Sequence, residues 1–148
     1  MAKAVTEKFE ELILDIETAP GSGIYAPVCG LIDCTITRTA NVDTAEVPDC
    51  ADESLPLSVE RQVRSIEVTV SGTGVWARES QDMLKQWFYS SATKNIRVRD
   101  TAAASGDAEI ESGPALLTTL TNTRTKGQKV SCEIELAFDG QPTLTDKA

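Results

Sequence analysis

The sequence has 148 residues, of which 41% are hydrophobic and 25% charged, and its formal net charge is −9. This length predicts one domain over residues 1–148, with enough apolar residues for one core. Histidine is absent, which argues against imidazole-based triads and most catalytic zinc sites. A chain with this net negative charge should also repel nucleic acid. No apolar run approaches the ~20 residues that a membrane span needs, so we expect no membrane insertion. The first residues also lack the apolar segment of a signal peptide, so we expect no secretion.

Alternation of apolar and polar residues dominates the chain, as is typical of antiparallel strands with one buried and one wet face. In the first such stretch, 11–17, Asp15 and Glu17 fall on the face that we expect to be wet. The clearest stretch is 130–138, where Glu133 and Glu135 lie on the polar phase. Two further stretches alternate in the same way, at 32–39 and 66–71.

Two segments break this alternation. The segment from Thr39 to Val59 has no clean period and contains two prolines, which predicts a long loop. From Arg78 to Ser91, the apolar residues share one face at helical spacing, which predicts an amphipathic helix. The chain is therefore predicted to be mainly β and antiparallel, with one flanking amphipathic helix and a long loop.

Charge is distributed unevenly along the chain. Between residues 43 and 60 there are six acids and no base, whereas residues 61–99 hold seven bases against three acids. One interpretation is a solvated acidic loop. The other is that an acidic surface on one copy meets a basic surface on another, which gives head-to-tail association into rings or filaments. The residues that this contact would use are Asp43, Glu46, Asp49, Asp52, Glu53, Arg61 and Arg64.

The segment Ser71-Gly72-Thr73-Gly74-Val75-Trp76-Ala77 matches the G-x-G-x-x-A pattern of dinucleotide-binding turns. The preceding strand alternates, although a parallel strand covered on both faces should be continuously apolar. The bulky Val75 and Trp76 also fit a phosphate cradle poorly. The glycines are therefore interpreted as part of a sharp strand-to-helix turn or bulge.

Cysteines and carboxylates offer no clear catalytic or metal site. The four cysteines, Cys29, Cys34, Cys50 and Cys132, lack the paired spacing of zinc knuckles. Cys34 and Cys132 lie on apolar phases, which favours buried free thiols over disulfides or metal ligands. No pair of carboxylates is marked as a general acid and base. We therefore expect no enzyme activity and no cofactor.

The order of parts resembles the major tail tube proteins of long-tailed phages and phage-like gene transfer agents. The resemblance rests on a leading strand, the stretch Val28-Cys29-Gly30-Leu31-Ile32-Asp33 before a second strand, and a long loop. It continues with the VTVSGTGVWA segment, the helix that follows it, and two long strands that end in AFDGQPT.

This resemblance implies that the antiparallel strands form a β-sandwich or barrel with the helix at its flank. It also implies a structural virion protein, assembled in the host cytoplasm, whose hexameric rings stack into a hollow tail tube. It implies that DNA passes through the tube without specific binding, and that tape-measure, tail-tip and terminator proteins are partners. The segment 39–59 becomes the candidate contact with a neighbouring ring or subunit, and the basic stretch 61–99 the opposing surface. Glu133 and Glu135 become candidates for the channel lining.

Three alternatives remain open from the sequence. The tube component of a contractile injection or secretion system shares the implied fold. A monomeric β-sandwich binding module would use the 39–59 segment to hold a partner. The third is an enzyme that binds a nucleotide at the glycine-rich segment.

Overall fold

The computed structural model describes residues 2–18, 21–28 and 30–148. A short 3₁₀ turn, Phe9–Glu11, precedes the first strand, and one α-helix, α1, spans Arg78–Ser90. The strands are β1 Leu12–Glu17, β2 Tyr25–Pro27, β3 Leu31–Val47, β4 Ser58–Val75, β5 Lys94–Asp100, β6 Ala108–Thr123, β7 Ser131–Phe138 and β8 Thr143–Asp146. Within the described ranges, no helix is long and apolar enough to cross a membrane.

The strands form one antiparallel sheet in the order β2-β1-β5-β6-β7-β4-β3, and β8 pairs with β6 outside this path. Among the described residues this path does not close on itself, so β2 and β3 lie at its two ends. β6 is long enough to pair with β5 and β8 in its first half and with β7 in its second. It therefore joins the two halves of the sheet.

The core lies between one face of this sheet and α1. Leu84 and Trp87 of α1 are 1% and 2% exposed and pack against the buried aliphatic side chains of the strands. The indole Nε1 of Trp87 donates a hydrogen bond of 2.8 Å to the Ala92 carbonyl, which satisfies its polar atom just beyond the helix. The helix ends at Ser91, whose positive φ of 57° marks a left-handed cap.

The predicted fold class is confirmed: the chain is mainly β and antiparallel, with one helix that occupies the predicted segment. Strand β7 also has the predicted alternation. Its residues Cys132, Ile134, Leu136 and Phe138 are buried, while the intervening Glu133 and Glu135 are exposed. Periodicity was informative here because one face of β7 covers the core and the other meets solvent.

The predicted loop over 39–59 is wrong in its bounds. β3 continues to Val47 and β4 begins at Ser58, so only residues 48–57 form the connecting loop. Residues 39–47 pair with the start of β4 in a long hairpin. The alternation was missing from the sequence because both faces of this hairpin are largely exposed, so neither face is restricted to apolar residues.

The expectation for the polar phase of β1 is also wrong. Asp15 and Glu17 are 1% and 3% exposed, although they alternate with the core residues Leu14 and Ile16. Strand β5 lies beside β1 and contributes polar partners that enclose both carboxylates. Burial of the second face therefore depends on residues about 80 positions later in the chain.

Candidate functional site

A continuous polar surface covers four neighbouring strands on the side away from the core. Cross-strand pairing aligns one row of Thr35, Ser71, Glu135 and Thr119, and a second row of Asp33, Thr73, Glu133 and Thr121. All eight side chains are exposed. We call these eight residues the polar face. It contains five hydroxyls and three carboxylates, and no base among its members.

The structure thus brings Glu133 and Glu135 together with a third acid that the sequence analysis did not select. Asp33 lies opposite Thr73, whose hydroxyl donates a hydrogen bond of 3.1 Å to the Asp33 carboxylate. The signal was present in the sequence, because Asp33 lies on the polar phase of the 32–39 stretch. Its proximity to Glu133 depends on the order β3-β4-β7, which the sequence pattern does not define.

Beyond the polar face, β3 and β4 continue without other strands as a two-stranded hairpin. We call residues 39–67 the arm. The last β4 residue that pairs with β7 is Thr69, and from there to Ser58 the strand extends about 36 Å at ~3.3 Å per residue. Apart from the half-buried Asn41 and Val47, every arm side chain is exposed.

The arm carries all seven residues that the sequence analysis selected as an interface. Five are the acids Asp43, Glu46, Asp49, Asp52 and Glu53, and two are the bases Arg61 and Arg64. Arg64 lies 3.7 Å from Asp43 across the hairpin, with both side chains about two-thirds exposed. The two arginines therefore share a surface with the acids, and the basic stretch 61–99 does not form one opposing surface.

The remaining bases of that stretch are dispersed over the fold. Arg97 and Arg99 lie on β5 beside the buried Asp15, with Nε atoms 2.9 and 2.6 Å from the same carboxylate oxygen. The Arg97 guanidinium also stacks 4.4 Å from the centre of the Tyr25 ring. This cluster ties β1 to β5, and the second Asp15 oxygen has no hydrogen-bond partner among the described residues.

Glu17 has a different structural role at the end of β1. Its carboxylate accepts a hydrogen bond of 2.8 Å from the Gly21 N–H and a longer one of 3.4 Å from the Gly23 N–H. Asn95 on β5 donates to the same carboxylate at 3.5 Å. Glu17 therefore holds the β1–β2 connection to the sheet.

The glycine-rich segment forms no nucleotide cradle. Gly72 and Gly74 lie inside β4, between antiparallel neighbours, and not in a strand-to-helix turn. A Cβ on Gly74 would lie 2.1 Å from the Gly30 carbonyl oxygen, and one on Gly72 would lie 3.1 Å from the Leu31 side chain. These glycines allow β3 to approach β4 closely beside the irregularity at Leu31 and Asp33.

The cysteines show no metal site among the described residues, which contain no cluster of three or more potential metal ligands. Cys34, Cys50 and Cys132 are free thiols, half-buried, exposed and buried in turn, and Cys29 lies outside the described residues. Burial raises the pKa of the Cys34 thiol. Burial, and then the neighbouring Glu133 carboxylate, raise the pKa of Cys132.

A family model described as phage tail tube protein matches residues 6–144, which is nearly the whole chain. The chain belongs to the phage tail tube protein family. This family is structural and not enzymatic, in agreement with the expectation from the sequence. A comparison with curated proteins gave no match.

Solved structures of assembled tails share the fold. The tail of an empty gene transfer agent particle, refined with C6 helical symmetry, has a TM-score of 0.75 at 19% identity, over 95% of this chain and 99% of that one. A chain of the native gene transfer agent virion has a TM-score of 0.70 at 17% identity, over 95% and 99% of the two chains. The SPP1 tail tube has a TM-score of 0.68 at 11% identity, over 95% and 80%.

Proposed function

We propose that this tail tube protein self-assembles into hexameric rings, and that the rings stack into a hollow tube in the tail of a phage or gene transfer agent particle. Family membership supports the tail location, and the C6 symmetry of the gene transfer agent tail supports the ring of six. The exposed edge strands β2 and β3 give each subunit unpaired backbone groups that a neighbouring subunit would satisfy.

The polar face is the proposed channel lining, and DNA is the proposed cargo. The carboxylates of this face repel a polyanion, and a face without a base offers it no cationic contact. Six copies at −9 each would carry −54 per ring, which favours passage over binding. The base-free polar face is the observation that supports this proposal most strongly.

The arm is the proposed contact with the neighbouring subunit or ring, through Asp43, Glu46, Asp49, Asp52, Glu53, Arg61 and Arg64. It extends beyond the body of the sheet, and its exposed acids have few bases beside them. The length-setting, tail-tip and terminator proteins of the tail remain proposed partners, and the conducted DNA is bound by no specific residue.

The test is negative-stain electron microscopy of the purified protein at high concentration, with sedimentation of the same sample. We expect rings or tubes with a central hole. Triple reversal of Asp49→Lys, Asp52→Lys and Glu53→Lys should stop tube growth, because it removes the acidic contact while the body of the fold is untouched. The variant should keep its circular dichroism spectrum; normal tubes from a folded triple variant would contradict the proposed role of the arm.

A further inference from the structure

One face of the arm carries four uncovered aliphatic side chains, and the register places Glu46 and Arg61 among them. Val42, Val59, Val63 and Ile66 are 42–53% exposed, and the β3–β4 register places them on the face that carries Val68 and Val70 in the core. The core face thus continues past the end of the core as a two-stranded ribbon. Such ribbons are marginally stable in water, so burial of this face would be favourable.

The charge of the arm restricts what can cover that face. The arm holds seven acids against two bases, and three of the acids lie in the loop 48–57 beside the half-exposed Leu55 and Leu57. A complementary surface must therefore offer apolar contact within a basic surround.

This chain carries one such surface at the opposite end of the sheet. Residues 124–130, which we call the basic turn, connect β6 to β7 and contain Arg124, Lys126 and Lys129 with no acid. All residues of the turn are exposed, and its bases form no ion pair among the described residues. Val130 and the neighbouring Val75 are 36% and 38% exposed and supply apolar area.

A second apolar depression is a poorer match. It is lined by Phe9, Leu12, Leu31 and Ile32, but Glu10 and Asp33 also line it. The acidic loop of the arm would meet like charges there, which costs binding energy. The basic turn is therefore the favoured acceptor.

The arm loop cannot reach the basic turn of its own chain. Strand β4 joins the two ends, from Ser58 at the loop to Val75, which pairs with Ser131 next to the turn. Its seventeen residue steps extend about 55 Å at ~3.3 Å per step. Any contact between the two must therefore join two copies, head to tail, which is the geometry that generates open stacks.

We infer that the arm of one copy docks, by its exposed aliphatic side chains and acidic loop, on the basic turn of a second copy. This inference rests on the proposed function and identifies the partner surface of the arm. It replaces the opposing surface that the sequence suggested at 61–99 with residues 124–130.

Disulfide trapping tests the contact directly, because Cys50 is a natural exposed thiol in the arm loop. In a Gln128→Cys variant, mild oxidation at high protein concentration should give a ladder of linked chains. Peptide mass spectrometry should identify a bond between Cys50 and the new thiol in the basic turn. Such a bond must lie between chains, since a disulfide requires the two Cα atoms to be within ~7 Å. Adding Cys50→Ser should abolish the ladder.

The matched control is Glu10→Cys, which places the new thiol at the rejected depression. A bond from Cys50 to the thiol of this control, or between two Cys50 thiols, would overturn the inference. A second outcome would also overturn the inference: the Gln128→Cys variant forms tubes that are visible by electron microscopy, but Cys50 forms no bond to the basic turn in them. That outcome would leave the proposed function intact. Absence of both tubes and linked chains at high concentration would count against the proposed function and the inference together.

A charge exchange provides an independent test. Lys126→Glu with Lys129→Glu should weaken self-association about tenfold or more, since two attractive charge contacts become repulsive. Adding Asp52→Lys and Glu53→Lys to the same chain should restore association. The control pair Lys3→Glu and Lys8→Glu makes the same charge change away from the turn and should assemble normally. Failure of the exchanged variant to recover would contradict the docking.

Discussion

The buried carboxylate of Asp15 is the residue on which the packing of β1 against β5 depends most. It is 1% exposed and neutralised by Arg97 and Arg99, each of whose side chains is 29% exposed. A buried charge without a counter-ion is strongly destabilising, whereas a satisfied pair contributes less than its Coulomb energy. The cluster is therefore a point at which a single substitution should affect the whole sheet.

Asp15→Asn should lower the free energy of unfolding by about 2–3 kcal/mol, because two neighbouring guanidinium groups lose their shared negative charge. The measurement is urea denaturation at a protein concentration where the chain is monomeric. Asp33→Asn, an exposed carboxylate on the polar face, is the matched control and should change the value by less than about 0.5 kcal/mol. Equal stability of both variants would show that the cluster is not structurally important.

The two glycines of β4 should differ in their tolerance of a methyl group. Gly74→Ala places a Cβ 2.1 Å from a backbone carbonyl, so β3 must move, whereas Gly72→Ala meets chiefly the movable end of Leu31 at 3.1 Å. We expect a loss of about 2 kcal/mol for Gly74→Ala and a smaller loss for Gly72→Ala. Thermal unfolding of both variants checks the order; a larger loss at Gly72 would contradict it.

At the residue level, the sequence predicted β7 well and β1 only in part. Alternation located Ile134 and Leu136 in the core because one face of β7 meets solvent. The same pattern misplaced Asp15, since its burial depends on arginines from a strand distant in sequence. In a sequence pattern, a polar residue that is buried beside a polar partner cannot be distinguished from an exposed one until the partner strand is known.

Among the elements, the arm differs most from the rest of the sheet. Its strands have hydrogen-bonded neighbours only in each other, and almost no side-chain burial supports them. It was also the element least predictable from sequence, because no core face imposed a period on residues 39–59. The concentration of acids in this segment did predict that it is an interface. That prediction required no knowledge of its conformation.

Amide hydrogen exchange of the monomer should therefore be fast in the arm and slow in the body. Residues 42–47 and 58–63 should exchange much faster than β7, whose strand has hydrogen-bonded neighbours on both sides and buried side chains. In assembled tubes the same arm amides should become protected. Equal protection of the arm and β7 in the monomer would contradict the view that the arm lacks support until it is docked.

For the whole molecule, the distribution of charge matters more than the total. The polar face is acidic or neutral, the loop of the arm is acidic, and the basic turn lies at the far end of the sheet. The net charge and its uneven distribution along the chain were readable from the sequence. The faces and ends on which the charges lie were not, because those depend on the strand order and on the bulges that define the register.

Reversal of the charge on the proposed channel lining should make the tube bind DNA. Glu133→Lys with Glu135→Lys changes each copy from −9 to −5, and two cations per subunit would then line the proposed channel. We expect the variant tubes, but not wild-type tubes, to co-sediment with short duplex DNA at low salt and to release it as salt rises. Glu79→Lys with Asp82→Lys on α1 makes the same charge change elsewhere. DNA retention by that control to the same extent would argue against the assigned lining.

Strand β4 is a single continuous strand from the arm loop to the segment before α1. In the proposed stack, a pull along the tube that acts on the arm would run parallel to β4. Antiparallel hydrogen bonds lie perpendicular to their strands, so this load would shear the β3–β4 and β4–β7 ladders together instead of peeling their bonds one at a time. The strand that carries the docking surface would thus transmit tension through each subunit. A tube of such subunits would resist stretching along its axis.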